Sequence, residues 1–112
     1  MANALEIVCP PDSVMRKSMG VADSQLYIKS GTQSLHELEQ WLAGVGRGLT
    51  DGMKFIDVGS GSGRLAQPLL AKYPELNYLG VDIDEESIAF CESIGIPSAR
   101  FSLVNAEKNG DP

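Results

Sequence analysis

A chain of 112 residues, 43% hydrophobic and 21% charged, has the size and composition of one small globular domain with a modest core. A net charge of −6 without a basic cluster argues against a nucleic-acid partner, and no apolar run is long enough to span a bilayer. Two cysteines without a C-x-x-C pair, beside one histidine, fit reduced thiols in a cytoplasmic protein and argue against a metal site.

The N-terminal third of the chain is weakly patterned, and a short helix is predicted there from Asp12. Ser34 and Glu37 have the spacing of a capping box, which predicts that a longer helix begins at Ser34. The sequence therefore predicts a partly helical lead-in over residues 1–33, followed by a domain over residues 34–112.

The predicted longer helix carries apolar residues at helical spacing, which is typical of a face packed into a core. The residues of this stripe are Leu35, Leu38, Trp41, Leu42 and Val45. Glycines at positions 44, 46 and 48 are expected to end the helix.

From residue 54 onward, apolar strands alternate with helical segments. Strands are predicted over residues 54–58, 77–84 and 99–106, with helices beginning near Ser62 and at Asp84. This alternation predicts parallel strands joined by crossover helices. The predicted fold is α/β and Rossmann-like in three layers, with three parallel strands in the order 3-2-1.

Three alternating glycines, Gly59, Gly61 and Gly63, follow the first of these strands and precede a helix. Such a loop turns sharply and lets a ligand lie against bare backbone at a helix N-terminus. Asp82 ends the second strand about 20 residues later, at the position of an acid that holds ribose hydroxyls. Together these features predict a site for a nucleotide-like cofactor.

Two cofactors could use this layout. Gly61, Gly63 and Ala66 match the dinucleotide fingerprint of NAD enzymes. Asp57 argues against NAD, because its carboxylate would repel a pyrophosphate by about 1 kcal/mol or more. S-adenosylmethionine has a cationic amine, a sulfonium and a ribose without a phosphate, and therefore suits Asp57.

The segment FIDVGSGSGRLA, Phe55 to Ala66, resembles the first motif of class I S-adenosylmethionine-dependent methyltransferases, and YLGVDIDEESI, Tyr78 to Ile88, resembles the second. The upstream YIKSGTQSLHELEQWL resembles the helical lead-in of small bacterial members. The resemblance spans roughly residues 27–106. It is specific to the superfamily and not to a methyl acceptor.

The resemblance implies a role for each matching position. Asp57 and the glycine-loop backbone would face the methionine part, Asp82 would hold the ribose hydroxyls, and Ile83 would pack on adenine. Asn105 and Ala106 stand where the family often has an acid and a small residue that contact the adenine amino group, and an Asn carbonyl can also accept from that amine. The implied cofactor-binding residues are Asp57, Gly59, Ser60, Gly61, Gly63, Asp82, Ile83, Asn105 and Ala106.

The resemblance also implies a seven-stranded sheet, whereas this sequence accounts for three strands. The fourth strand usually carries the residues at the methyl-transfer site, so no catalytic residue is assigned. Without that strand, the first strand becomes an apolar edge, and we expect self-association through this edge or through an exchanged element. The alternative is that the N-terminal segment folds over this edge.

Three functions remain open from the sequence. The first is the cofactor-binding half of a methyltransferase that produces S-adenosylhomocysteine while methylating an unidentified acceptor. The second is a non-catalytic cofactor-binding module, truncated or engineered, and the third is a fragment of an NAD-dependent oxidoreductase. The sequence does not show whether Pro112 is the natural end of the protein.

Overall fold

The structure, a computed structural model, describes residues 6–104. Helices and strands alternate after two initial helices. The elements are α1 (Asp12–Met19), α2 (Ser24–Gly44), β1 (Lys54–Val58), α3 (Ala66–Lys72), β2 (Asn77–Asp82), α4 (Glu85–Ile94) and β3 (Ala99–Leu103).

The three strands form one parallel sheet in the order β1-β2-β3. Ile56 pairs with Leu79 in the first ladder, and Gly80 pairs with Phe101 in the second. This arrangement confirms the predicted α/β fold and strand order. It makes β2 the central strand and leaves β1 at one edge of the sheet.

The core lies between one face of this sheet and the helices. Tyr78, at the centre of that face, is fully buried. Its ring stacks on Phe55 of β1 at a centroid distance of 5.8 Å and meets Phe101 of β3 at 5.7 Å. Around these rings pack the buried side chains of Leu35, Ala66, Leu69, Leu70, Leu76 and Ile96.

The opposite face of β1 is open. Strand side chains alternate between faces, so Ile56 and Val58 point away from the buried Phe55 side. Ile56 is 66% exposed and Val58 is 82% exposed. The sheet and the described helices on its buried face therefore account for two of the three predicted layers, and β1 is an apolar edge strand among the described residues, as expected.

Helix α2 begins well before the predicted position. The Asp23 carboxylate accepts a hydrogen bond from the Leu26 amide at 3.0 Å and caps the helix. Ser34 consequently lies inside α2, and the prediction that it starts a helix was wrong. The same helix runs without interruption across residues 33 and 34, between the predicted lead-in and domain.

The apolar stripe of α2 is only partly in the core. Leu35 is buried, whereas Trp41 is 67% exposed and Val45 is 58% exposed. The end of α3 explains this difference in exposure. Helix α3 ends at Lys72, and the Lys72 ammonium donates to Glu39 of α2 at 2.6 Å. Beyond Glu39, α2 runs past the end of its neighbour, so the prediction of a buried stripe was wrong for Trp41 and Val45.

Helix α3 begins at Ala66 rather than near Ser62. Pro68 therefore occupies its first turn, where the missing N–H has no helical partner to lose. In α4, the Asp84 carboxylate accepts from the Ser87 amide at 3.0 Å, and Gly95 ends the helix with a φ of 74°. The predicted cap and end of α4 are thus confirmed.

The segment before α1 is attached to α3. The Gln67 side chain accepts from the Val8 amide at 2.6 Å and donates to the Val8 carbonyl at 2.9 Å. Val14 and Met15 of α1 are buried, which places this helix against the domain. Within residues 6–104, each helix is too short or too polar to cross a bilayer.

Candidate functional site

A cavity of about 570 Å³ opens where β1 and β2 end. Ligand pockets in proteins commonly have volumes of about 300–1,000 Å³. Residues from the glycine loop, both strand ends, α1, α2 and the start of α4 line it. They are Lys17, Ser18, Ser34, Asp57, Gly59, Ser60, Gly61, Ser62, Arg64, Leu65, Asp82, Asp84 and Ser87.

The glycine loop folds back onto the end of β2. The amides of Gly59 and Ser60 both donate to the Val81 carbonyl, at 2.8 and 3.0 Å. Gly59 has a φ of 77° and Gly61 a φ of 57°, in the left-handed region that favours glycine. The predicted sharp turn is therefore present and fixed to the neighbouring strand.

Asp82 bonds this loop through one carboxylate oxygen and the residue before α4 through the other. Oδ2 accepts from the Gly61 amide at 2.8 Å, and Oδ1 accepts from the Asp84 amide at 2.8 Å. An ionised carboxylate has about four acceptor positions, so two remain for a ligand in the cavity. Asp82 thus joins the loop to the strand end while it lines the cavity.

Asp57 brings a second carboxylate into the cavity. The Tyr78 hydroxyl donates to its Oδ2 at 2.8 Å. Burial raises the pKa of Asp57 above its ordinary value, while the bond from Tyr78 and the charge of Arg64 act in the opposite direction. Burial, followed by the neighbouring Asp57 charge, raises the pKa of Tyr78, so the phenol remains a donor.

Ser60 has a buried hydroxyl without a hydrogen-bond partner among residues 6–104. The residue is 7% exposed and lines the cavity. Buried hydroxyls in proteins are normally paired, and this one instead packs against β2, where a Cβ added to Gly80 would lie 2.9 Å from its Oγ. The absence of a side chain at Gly80 therefore makes room for Ser60 at the turn.

Cys91 of α4 packs against the glycine loop. Its thiol donates to the Gly61 carbonyl at 3.3 Å, and a Cβ on Gly63 would lie 3.3 Å from its sulfur. Burial raises the pKa of Cys91 to about 12, so the thiol stays protonated. Helical spacing in the sequence predicted Cys91 near the margin of the inner face of α4 and did not predict this contact.

Arg64 reaches from the loop to α2. Its Nη1 donates to the hydroxyls of Ser34 at 2.9 Å and Ser30 at 3.3 Å. Gly31, between them on the helix, allows close approach, because a Cβ there would lie 2.2 Å from the Arg64 carbonyl oxygen. Sequence reasoning missed this contact, although small residues at positions 30, 31 and 34 were a usable signal for it.

Helix α1 forms another wall. Lys17 donates to Asp84 Oδ1 at 3.0 Å and to Glu86 Oε1 at 2.8 Å. The hydroxyl oxygens of Ser18 and Ser62 lie 3.3 Å apart. The weak N-terminal pattern gave no signal for these residues.

The remaining predicted site residues lie elsewhere. Ile83 follows β2 and is 74% exposed, outside the set that lines the cavity. Asn105 and Ala106 fall outside the described residues. In the part of the chain that the structure describes, no group of three or more histidine, cysteine or acidic side chains is arranged to hold a metal ion.

Comparison with known proteins gives both a family and a structural likeness. Residues 49–110, more than half of the chain, match the model of a family described as methyltransferase domain. The chain is also similar to WbdD, solved as a co-crystal with the kinase inhibitor LY294002, with 19% identity and a TM-score of 0.48. The match covers 93% of this chain and 23% of the WbdD chain, so this chain spans about a quarter of that length.

Proposed function

Because this chain belongs to the methyltransferase domain family, we propose that it is the S-adenosylmethionine-binding portion of a class I methyltransferase. Members of that family generally use this cofactor. In the complete enzyme, the methyl group passes to an acceptor nucleophile, and S-adenosylhomocysteine is the product.

The hydrogen bonds of the glycine loop carry this proposal. The amides of Gly59, Ser60, Gly61 and Gly63 all donate within the chain, to Val81, Asp82 or Ser60. A pyrophosphate bound at such a loop needs N–H donors. Since these four donors are used internally, the loop suits a phosphate-free cofactor better than NAD.

The charges of the cavity support the same choice. Three carboxylates (Asp57, Asp82 and Asp84) and two cations (Lys17 and Arg64) line it, so its charged lining is net negative, and Asp57 and Asp82 favour a cationic group beside the loop. When bound, S-adenosylmethionine supplies an activated methyl group on a sulfonium. Asp57 would accept from the ammonium and Asp82 from the ribose hydroxyls, and the backbone of the glycine loop, Ser60 included, would lie against the ligand.

The contribution of this half of the enzyme is positioning. The glycine loop is fixed by Val81, Asp82 and Cys91, so the cofactor meets a surface that is already formed. Holding two reactants in a reactive geometry lowers the barrier without a catalytic acid or base. The rate of the complete enzyme would then come mainly from orientation of the methyl donor.

Calorimetric titration with S-adenosylmethionine, S-adenosylhomocysteine and NAD tests this proposal. We expect the first two to bind and NAD to show no saturable heat. Binding of NAD alone would favour the oxidoreductase alternative. Transfer of a labelled methyl group to a cell extract separates a competent fragment from a non-catalytic binding module.

We further propose that the chain self-associates through β1. A two-fold antiparallel pairing centred on Ile56 would place Lys54 opposite Val58 and Phe55 opposite Asp57, without like charges in register. The open edge and the exposed Ile56 and Val58 support a second copy as the occupant.

A further inference from the structure

We propose that Arg64 and Asp57 together bind the charged ends of an amino-acid group, with the carboxylate on Arg64 and the ammonium on Asp57. The inference rests on the proposed function, because S-adenosylmethionine carries such a group. It adds a residue and a ligand contact that neither the motifs nor the family match assign.

Arg64 is a cation without an anionic partner among the described residues. The ion pairs there join Lys17 to Asp84 and Glu86, and Lys72 to Glu39. Within residues 6–104, Arg64 donates from Nη1 alone, to two neutral serine hydroxyls. A guanidinium has five N–H donors, so most of its donors are left for a ligand.

The anion and the cation share one cavity without pairing with each other. Asp57 and Arg64 both line it, and no ion pair within 4.0 Å joins them among residues 6–104. Burial raises the pKa of Asp57, and the charge of Arg64 is nevertheless close enough to act against that rise. Two opposite charges held apart at one cavity match a zwitterionic ligand.

Each of the two groups has its own anchor. Tyr78 fixes Asp57 from the central strand, whereas Ser30 and Ser34 fix the Arg64 side chain from α2. Groups held in place before binding lose little conformational freedom when the ligand arrives. A planar guanidinium also matches a carboxylate through two parallel hydrogen bonds.

Lys17 is the other cation that lines the cavity. It already donates to Asp84 and Glu86, at 3.0 and 2.8 Å. Its charge is therefore balanced by two carboxylates, whereas Arg64 has no ion-pair partner among residues 6–104. Lys17 consequently provides a matched control for the removal of a positive charge from the same cavity.

The experiment compares S-adenosylmethionine with its decarboxylated analogue, which lacks only the carboxylate. We expect the wild-type chain to bind the analogue at least about tenfold more weakly. Arg64→Gln should weaken S-adenosylmethionine binding about 10- to 100-fold and change binding of the analogue less than about threefold. Lys17→Gln should change both affinities to a similar extent.

Arg64→Lys keeps the charge without the planar fork, so it should retain part of the preference for the carboxylate. If Arg64→Gln does not fold, the wild-type ligand comparison and the lysine variant decide the question. Equal wild-type affinities for both ligands, or equal losses of both in the Arg64 variants, overturn the inference while the proposed function stands. The inference is also overturned if Lys17→Gln, and not the Arg64 variants, loses the preference for S-adenosylmethionine over its decarboxylated analogue. Absence of wild-type binding to either ligand overturns both proposals.

Discussion

The backbone amide of Gly61 donates to Oδ2 of Asp82 at 2.8 Å, which joins the middle of the glycine loop to the end of β2. The other carboxylate oxygen accepts from the Asp84 amide at the same distance. Asp82 therefore has a structural role in addition to the ribose contact that we propose for it. A substitution at this position affects both.

Asp82→Ala removes the acceptor of two backbone amides and, under the proposed function, of two ribose hydroxyls. We expect the free energy of unfolding to fall by about 1–3 kcal/mol, because two partly buried donors lose their partner. Affinity for S-adenosylmethionine should fall about 30- to 150-fold. Urea denaturation and calorimetry measure the two effects. Asp51→Ala, at an exposed loop position, is the control, and unchanged affinity in the Asp82 variant would refute the ribose contact.

Gly31→Ala tests the contact between α2 and the loop. A Cβ at this position would lie 2.2 Å from the Arg64 carbonyl oxygen, so the helix or the loop must shift. We expect a loss of about 1–3 kcal/mol in the free energy of unfolding. Gly44→Ala, at the end of the same helix with open space around it, should instead be neutral or stabilising by up to about 1 kcal/mol. Equal effects of the two substitutions in urea denaturation would contradict the close approach.

The raised pKa of Asp57 predicts a pH dependence with a definite sign. The unfolded carboxyl ionises at its ordinary pKa of about 3.9, whereas burial raises the pKa of the folded one. The stability that the neutral form contributes is complete below the unfolded pKa and is lost as the pH rises through the folded pKa. The side chain of Asp57→Asn cannot ionise, so the variant does not lose this contribution. As the pH rises from the unfolded pKa through the folded pKa of Asp57, the free energy of unfolding of the wild type should therefore fall relative to that of the variant.

Ligand binding should depend on the same group in the opposite direction. The ammonium contact needs an ionised Asp57, so wild-type affinity for S-adenosylmethionine should rise as the pH passes the folded pKa of Asp57. Asp57→Asn should bind more weakly and without this rise. Titrations across the acidic range check both statements, and parallel pH profiles for the two proteins would exclude Asp57 from the ammonium contact.

Ile56→Lys tests the proposed self-association. The side chain lies at the centre of the edge strand and is 66% exposed, so the folded monomer should tolerate the change. A charge at this position opposes edge pairing, and we expect the substituted chain to be monomeric by light scattering. Val21→Lys, at another exposed apolar position, should leave the association unchanged. A wild-type chain that is monomeric well above micromolar concentration would contradict the proposal.

The sequence predicted the sheet well because each strand is a short apolar run with clear ends. Lys54–Val58 was predicted to the residue, and the second and third strands differed only where they end. The loop and Asp82 came together as expected, since parallel strands place their carboxyl ends at one edge. Local pattern was sufficient for these elements.

The lead-in was less predictable because tertiary contacts decide its structure. Ser34 and Glu37 have the spacing of a cap, but Asp23 supplies the actual cap and α2 continues through Gly31. A glycine inside a helix normally weakens it. Here the close contact with Arg64 gives that glycine a role. The small residues at positions 30, 31 and 34 indicate a close approach, but the local sequence does not identify the distant residue that makes it.

The reciprocal hydrogen bonds between Val8 and Gln67 connect positions 59 residues apart in the chain. Closing so long a loop carries an entropic cost, so we expect this contact to form late in folding, after the sheet and α3 are in place. The wall built by α1 would then be the last part of the cavity to assemble. A folding intermediate with a native sheet would consequently bind the cofactor poorly, and added cofactor would slow unfolding of this segment more than it speeds formation of the sheet.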